Sequence, residues 1–246
     1  MKIAMPSAFA TADAPVAVET AAAPGDVRVA VEGAVLTFPS AGGPVEVLKG
    51  ASFRALAGEA TAIVGPSGSG KSSLLALAAG LERPTAGSVT LLGTPIDGLG
   101  EDALARLRRG RVGLVFQSFH LLPTMTAFDN VRAPLEIAGI DHIDDRTQTI
   151  LERVGLSNRM AHYPTQMSGG EQQRVAVARA LASDPEIVFA DEPTGSLDAA
   201  AGAVVADLLF DITKERGAAL VLVTHDLDLA ARADRTVRMR DGRVEA

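Results

Sequence analysis

The 246-residue sequence contains no cysteine. Disulfide frameworks and thiolate chemistry are therefore excluded, an absence compatible with the cytosol. It also lacks a long apolar run. A membrane-spanning helix needs about 20 consecutive apolar residues, and the longest stretch, Leu74 to Leu81, is far shorter. Nor is there a positive excess. The 23 Lys and Arg are outnumbered by 30 Asp and Glu, giving a formal net charge of −7. That balance argues against a dedicated nucleic-acid binder, so no nucleic-acid partner is expected. No internal repeat is visible, so a single functional unit is expected.

What is present suits a folded domain. Hydrophobic residues make up 47% of the chain and charged residues 22%, enough for a sizeable core. The start differs. Residues 1–26 are rich in Ala, Pro and Thr, with one Lys and no continuous apolar core. They are expected to form a disordered tail and make a poor secretory signal. Residues 27–246 are expected to form the domain. Any contact with a membrane is then expected to pass through a partner.

Strands and helices alternate along that domain. Arg28 to Phe38 alternates polar and apolar residues as a half-buried strand does. A Gly/Pro-rich turn separates it from a second strand over Val45 to Leu56. Ala60 to Val64 reads as a buried strand and Ser72 to Ala79 as a helix. Val89 to Leu92 and Val112 to Phe116 read as strands, with a charged amphipathic helix over Glu101 to Arg109 between them. From Ser118 to Ala161 the pattern is mainly helical, with Pro123 and Pro134 as expected interruptions. A helical subdomain inserted at about 118–175 is expected. Strands over Glu186 to Ala190 and Ala219 to Thr224 flank a helix over Ala199 to Arg216. The order predicts an α/β fold with a mostly parallel sheet.

Three segments carry chemistry. The first is Gly65-Pro66-Ser67-Gly68-Ser69-Gly70-Lys71-Ser72, followed by Ser73. Its glycines let backbone N–H groups turn toward phosphates without Cβ clashes. The helix that follows offers its N-terminus to an anion. Lys71 supplies a cation for the β- and γ-phosphates, and Ser72 supplies a hydroxyl for Mg²⁺. The second segment is the apolar strand ending in Asp191-Glu192. Ligands of parallel sheets bind at strand C-termini, so Asp191 is placed to hold Mg²⁺ and Glu192 to polarise an attacking water. By itself such a pair is a common strand end meeting solvent; the upstream phosphate loop changes its meaning. The third is Ser168-Gly169-Gly170-Glu171. Ser-x-x-Glu is a helix capping box, yet capping needs no glycines. Two glycines bare the backbone of a helix end, so the same capped end is a second anion site.

With these three segments in this order, the chain resembles the ATPase subunits of the ABC family over about residues 28–244. The resemblance implies the phosphate-loop NTPase core of that family, with an antiparallel β subdomain and the helical insert. It implies ATP and Mg²⁺ as cofactors. It also assigns further residues. Phe38 matches the aromatic that stacks on adenine, with a core role as the alternative. Gln117 matches the glutamine that contacts Mg²⁺ and senses the γ-phosphate. Asp198, in Ser196-Leu197-Asp198, belongs to a loop that crosses a dimer interface. His225 matches the switch histidine at the γ-phosphate. Two copies are implied to meet head to tail, clamping ATP between one phosphate loop and Ser168-Gly169-Gly170 of the other. Met167 stands where Leu is usual and Glu171 where Gln is frequent, and both preserve size or polarity.

Finer segments narrow the likeness: Gln117 to Pro123, Ala127 to Val131, Pro134-Leu135, and Ala190 to Asp198. They are similar to the bacterial lipoprotein-release and macrolide-exporter type, and to the cell-division ATPase near them. That implies an integral-membrane permease as partner, at the cytoplasmic face of the inner membrane. Phe119, Leu121, Leu122 and Met125 would then contact the permease, or else form the helical segment's own core. An amino-acid importer ATPase shares several of these residues. A soluble module, such as one in cluster assembly, is a further alternative. A small-molecule kinase would share only the phosphate loop.

Overall fold

The computed structural model describes residues 27–245; the expected tail at 1–26 lies outside the described residues. Two sheets form. β1 (Val27–Phe38) and β2 (Val45–Leu56) pair as a long antiparallel hairpin, extended by β4 (Ala86–Leu91) and the short β5 (Thr94–Pro95). The second sheet has the order β10-β9-β3-β8-β7-β6. Its members are β3 (Ala60–Val64), β6 (Val112–Phe116), β7 (Ile187–Asp191), β8 (Ala219–Val223), β9 (Arg235–Arg240) and β10 (Arg243–Val244). All its pairings are parallel except that of β9 with β10.

The central strands are continuous apolar runs because both of their faces are covered. Successive side chains point to opposite faces. Ile187 and Phe189 of β7, with Ala219, Val221 and Val223 of β8, join a core shared with the antiparallel sheet and α1 (Lys71–Ala78). Val188, Ala190, Leu220 and Leu222 join a second core on the other face. That core packs against α5 (Gly169–Leu181) and α6 (Ala199–Glu215), and continues into α3 (Ala127–Ala138) and α4 (Ile143–Arg153). α2 (Glu101–Arg108) follows β5, and the one-turn α7 (Leu227–Ala230) follows β8.

The structure departs from the sequence expectation in several places. Pro134 lies inside α3 without ending it. A proline costs one i→i−4 bond, and the burial of Val131 and Leu135 on the core side holds the helix through it. β9 has no counterpart in the sequence reading because four of its six residues are Arg or Thr, and only Val237 and Met239 are buried. α7 is likewise too short to show a helical period.

Candidate functional site

The chemistry gathers at one edge of the large sheet. β3, β8, β7 and β6 run parallel and side by side, so their C-terminal ends share that edge. The phosphate loop follows β3, His225 follows β8 by two residues, Asp191 ends β7, and Gln117 follows β6. Phe116 pairs with Asp191, and Asp191 pairs with Val223. The sequence-predicted residues Gln117, Asp191, Glu192 and His225 are thus brought together by strand register alone.

The loop is confined to backbone at two of its glycines. A Cβ on Gly65 would fall 2.2 Å from the carbonyl oxygen of Met239 on β9. Gly70 has a left-handed φ of 96°, and its Cβ would meet Leu48 and the Val47 carbonyl at 3.0 Å. Gly70 also serves as N-cap of α1 with no side chain to cap it. The first N–H groups of that helix therefore have no side-chain acceptor, as an anion site requires. Lys71 is buried, and its ammonium donates to the Gly65 and Pro66 carbonyls at 2.9 and 3.0 Å. Ser69 is buried too, and its Oγ has no hydrogen-bond partner. Cradle, free helix end and buried cation together fit a nucleotide polyphosphate.

Ser72 and Asp191 meet behind the loop. The Ser72 hydroxyl donates to Asp191 Oδ1 at 3.0 Å. Burial pushes the Asp191 carboxyl above its usual value, with Glu192 adding to the rise; the Ser72 hydrogen bond and Lys71 oppose it. A half-buried carboxylate beside a hydroxyl is a hard-oxygen pair of the kind Mg²⁺ prefers. The described residues hold no cluster of three or more His, Cys, Asp or Glu able to bind a metal alone. The donor set therefore fits a cation that completes its shell with phosphate and water.

Glu192 is held in an unusual conformation. Its φ is +45°, a left-handed value that non-glycine residues rarely adopt. Its N–H donates to the Val223 carbonyl at 2.9 Å, tying the turn after β7 to β8. Its carboxylate lies 2.9 Å from His225 Nδ1 through either oxygen. The acid is mostly buried, with 17% of its side chain exposed, whereas His225 is 70% exposed. A shielded carboxylate partnered by an accessible imidazole suits proton abstraction at that edge.

The remaining predicted residues stand on other elements. Phe38 ends β1 with 38% exposure, so it is not a core side chain. It pairs with Val45, two residues before the Val47 that touches Gly70, so it stands near the phosphate loop. Ser168 caps α5: its Oγ accepts from Glu171 N at 3.2 Å, and Glu171 Oε2 accepts from Ser168 N at 2.8 Å. Glu171 also accepts from Arg159 Nε at 2.8 Å. That guanidinium, with the Ser168 N–H next in importance, lowers the Glu171 carboxyl to about 2. Gly170 has a packing reason that its sequence did not disclose: its Cβ would meet that of Ala201 on α6 at 3.0 Å. Gly169 has no contact that close. Asp198 caps α6 by accepting from Ala201 N at 2.9 Å. Ser196 Oγ donates to the Gln117 carbonyl at 3.0 Å. Of the four proposed apolar contacts, Leu122 is 47% exposed, while Leu121 packs on the second core.

Sequence reasoning missed several residues that hold the site. Asn130 is buried and saturated: it donates to the carbonyls of Leu122, Met125 and Thr126 and accepts from Leu122 N. Gln173 and Arg179 of α5 bind the carbonyls of Phe116, Phe119 and His120. They read as an ordinary polar helix face, and no local signal marks them.

A phosphate cradle, a hydroxyl–carboxylate pair and a shielded base on adjoining strand ends define a nucleoside-triphosphate hydrolase. A second glycine-bearing helix end, at Ser168-Gly169-Gly170, is closed by its own capping box. The family described as ABC transporter matches residues 48–195. The chain is 48% identical to the uncharacterized ABC transporter ATP-binding protein YbbA of Escherichia coli K12, over 82% of this chain and 89% of that protein. It is 46% identical to the lipoprotein-releasing system ATP-binding protein LolD 2 of Caulobacter vibrioides, over 89% of this chain and 97% of that one. The ATP-binding cassette MJ0796, solved as a dimer in a post-hydrolysis state with ADP and Pi, superposes with a TM-score of 0.83. It is 37% identical and covers 89% of this chain and 97% of its own. The chain belongs to the ABC transporter family and is an ATP-binding, ATP-hydrolysing subunit of it. Among the described residues, no helix is long and apolar enough to cross a membrane.

Proposed function

We propose that this chain hydrolyses Mg²⁺-ATP as a head-to-tail homodimer and drives a membrane permease of the lipoprotein-release or related mechanical exporter type. One observation carries the reading. The Ser72–Asp191 and Glu192–His225 pairs lie at the same sheet edge as the phosphate cradle. Lys71 turns from the loop carbonyls to the β- and γ-phosphates when nucleotide enters. Ser72, Asp191 and Gln117 would hold Mg²⁺, which when bound would supply positive charge against the phosphates. Glu192 takes a proton from the attacking water; the water oxygen bonds to the γ-phosphorus as its bond to the ADP oxygen breaks. His225 orients Glu192 and faces the γ-phosphate, and Phe38 stacks on adenine. The α5 end at Ser168-Gly169-Gly170, held by its Glu171 capping box, serves the nucleotide of the second copy, with Asp198 at the shared interface. This explains why one chain carries two glycine-bearing helix ends.

Residues 118–175 act as the inserted helical subdomain, and the permease docks where it meets the sheet. A groove of about 550 Å³ runs there between α2, β6 and α3. Its lining includes Phe116, Pro134 and Ile137, and Ile137 is 70% exposed. It also includes Arg106, Arg108, Arg109 and Arg179 and no acidic residue, in a chain of net charge −7. An amphipathic helix of the permease bearing carboxylates complements it. The chain thereby sits at the cytoplasmic face of the inner membrane without spanning it. Purification from detergent-solubilised native membranes tests the reading. Co-isolation of a permease with a large extracytoplasmic domain is expected, and its loss with Ile137→Asp. Co-isolation of a many-span permease with a binding protein indicates import. Soluble partners alone would remove transport.

A further inference from the structure

α5 is more than the carrier of Ser168-Gly169-Gly170. Its buried face reaches the loop that bears Gln117 at both ends. Before Gln117, the Gln173 amide donates to the Phe116 carbonyl at 3.3 Å. The same nitrogen donates at 2.7 Å to the carbonyl of Pro193, the residue after Glu192. Gln173 is fully buried, and its Oε1 has no hydrogen-bond partner. After Gln117, the Arg179 guanidinium donates to the Phe119 carbonyl at 2.8 Å and the His120 carbonyl at 2.7 Å.

Those two carbonyls belong to consecutive left-handed residues, with φ of 59° at Phe119 and 48° at His120. Neither is glycine, so the backbone there needs an external hold. The planar guanidinium suits two neighbouring carbonyls, because its donors form a fixed fork. Among the described residues Arg179 has no ion-pair partner, and it lines the groove between α2, β6 and α3. Burial lowers its pKa.

We propose that Arg179 is a positioning residue that clips the Gln117 loop to α5, with Gln173 as the second anchor. The helix whose N-terminus faces the second copy's nucleotide then moves as one body with the glutamine of its own site. Rigid elements carry such coupling when hydrogen bonds fix them to the moving part. The inference rests on the reading of Gln117 as a ligand of the nucleotide site.

A double-mutant cycle tests it, using steady-state hydrolysis by the full chain with Arg179→Ala, Gln117→Ala and the pair. Arg179→Ala is expected to lower kcat by about tenfold to 10²-fold, the range for displacing a positioned group. Its KM for ATP stays within about threefold, because the phosphate cradle is untouched. The pair is expected to turn over no more slowly than Gln117→Ala alone, since the clip acts only through that glutamine. Should Arg179→Ala not fold, as read by thermal unfolding, Arg179→Lys takes its place. Its ammonium is carried on a shorter reach and lacks the fixed planar fork, so the drop is smaller but equally absent on the Gln117→Ala background. Effects that multiply in the pair, or wild-type turnover by the Arg179 variants, would overturn the clip. Wild-type turnover by Gln117→Ala would overturn the reading of Gln117, and the clip's role with it.

Discussion

Glu171→Gln isolates the charge at the N-terminus of α5. In the native chain that carboxylate accepts from Ser168 N and from Arg159 Nε, both at 2.8 Å, and its pKa falls from 4.5 to about 2. At about 1.36 kcal/mol for each pH unit between those values, the ceiling is about 3.4 kcal/mol of stabilisation at neutral pH. Glu171 is 19% exposed, but Arg159 is 46% exposed, so solvent screens the pair. About 1 to 2 kcal/mol is the expected remainder. The sign follows from the depressed pKa. The stabilisation is complete well above 4.5 and is lost as pH falls toward 2, so about two-fifths of it survives at pH 3. A glutamine side chain can still close the capping box, so only the charge-dependent part is removed. Urea unfolding of the wild type and Glu171→Gln at pH 7 and pH 3 measures the difference. The gap is expected to be about 1 to 2 kcal/mol at pH 7 and less than half of that at pH 3. Hydrolysis at neutral pH is expected to remain within about threefold, because the cap survives. A gap equal at both pH values would refute the assignment of a charged, hydrogen-bonded Glu171.

Two further perturbations address the cradle. Lys71→Ala removes the cation that reaches the Gly65 and Pro66 carbonyls, and tight ATP binding is expected to vanish; retained micromolar affinity by calorimetry would contradict the phosphate-loop assignment. Gly65→Ala drives a methyl to within 2.2 Å of the Met239 carbonyl, so β9 and the loop must part. ATP affinity is expected to fall at least tenfold by the same measurement, with the thermal midpoint also lowered.

The phosphate loop was legible in the sequence because it is contiguous: eight residues, Gly65 to Ser72, hold glycines, cation and hydroxyl in one run. The alternation of strand and helix was legible for a similar reason, since β3, β7 and β8 are apolar apart from Thr61 and the terminal Asp191. β9 was not, because its arginines alternate with the two side chains that face the core. Phe38 had two readings in the sequence, and its 38% exposure removes the core one. Gly170 looked like backbone bared for a ligand, and its contact with Ala201 adds a packing requirement between α5 and α6. Gln173, Arg179 and Asn130 act through carbonyls of other segments. Sequence pattern records side chains and is silent on which backbone groups they will meet.

Glu192 is where the glycine-rich loop, the Ser72–Asp191 pair and the accessible histidine converge. The decisive measurement compares phosphate release and oligomeric state for the wild type and Glu192→Gln in Mg²⁺-ATP. Wild-type chain is expected to turn over. Glu192→Gln is expected to keep its ATP affinity, slow hydrolysis by about 10²- to 10⁴-fold, and elute as an ATP-bound dimer. Undiminished turnover by Glu192→Gln would contradict the account, because no other carboxylate at that edge is both shielded and joined to His225.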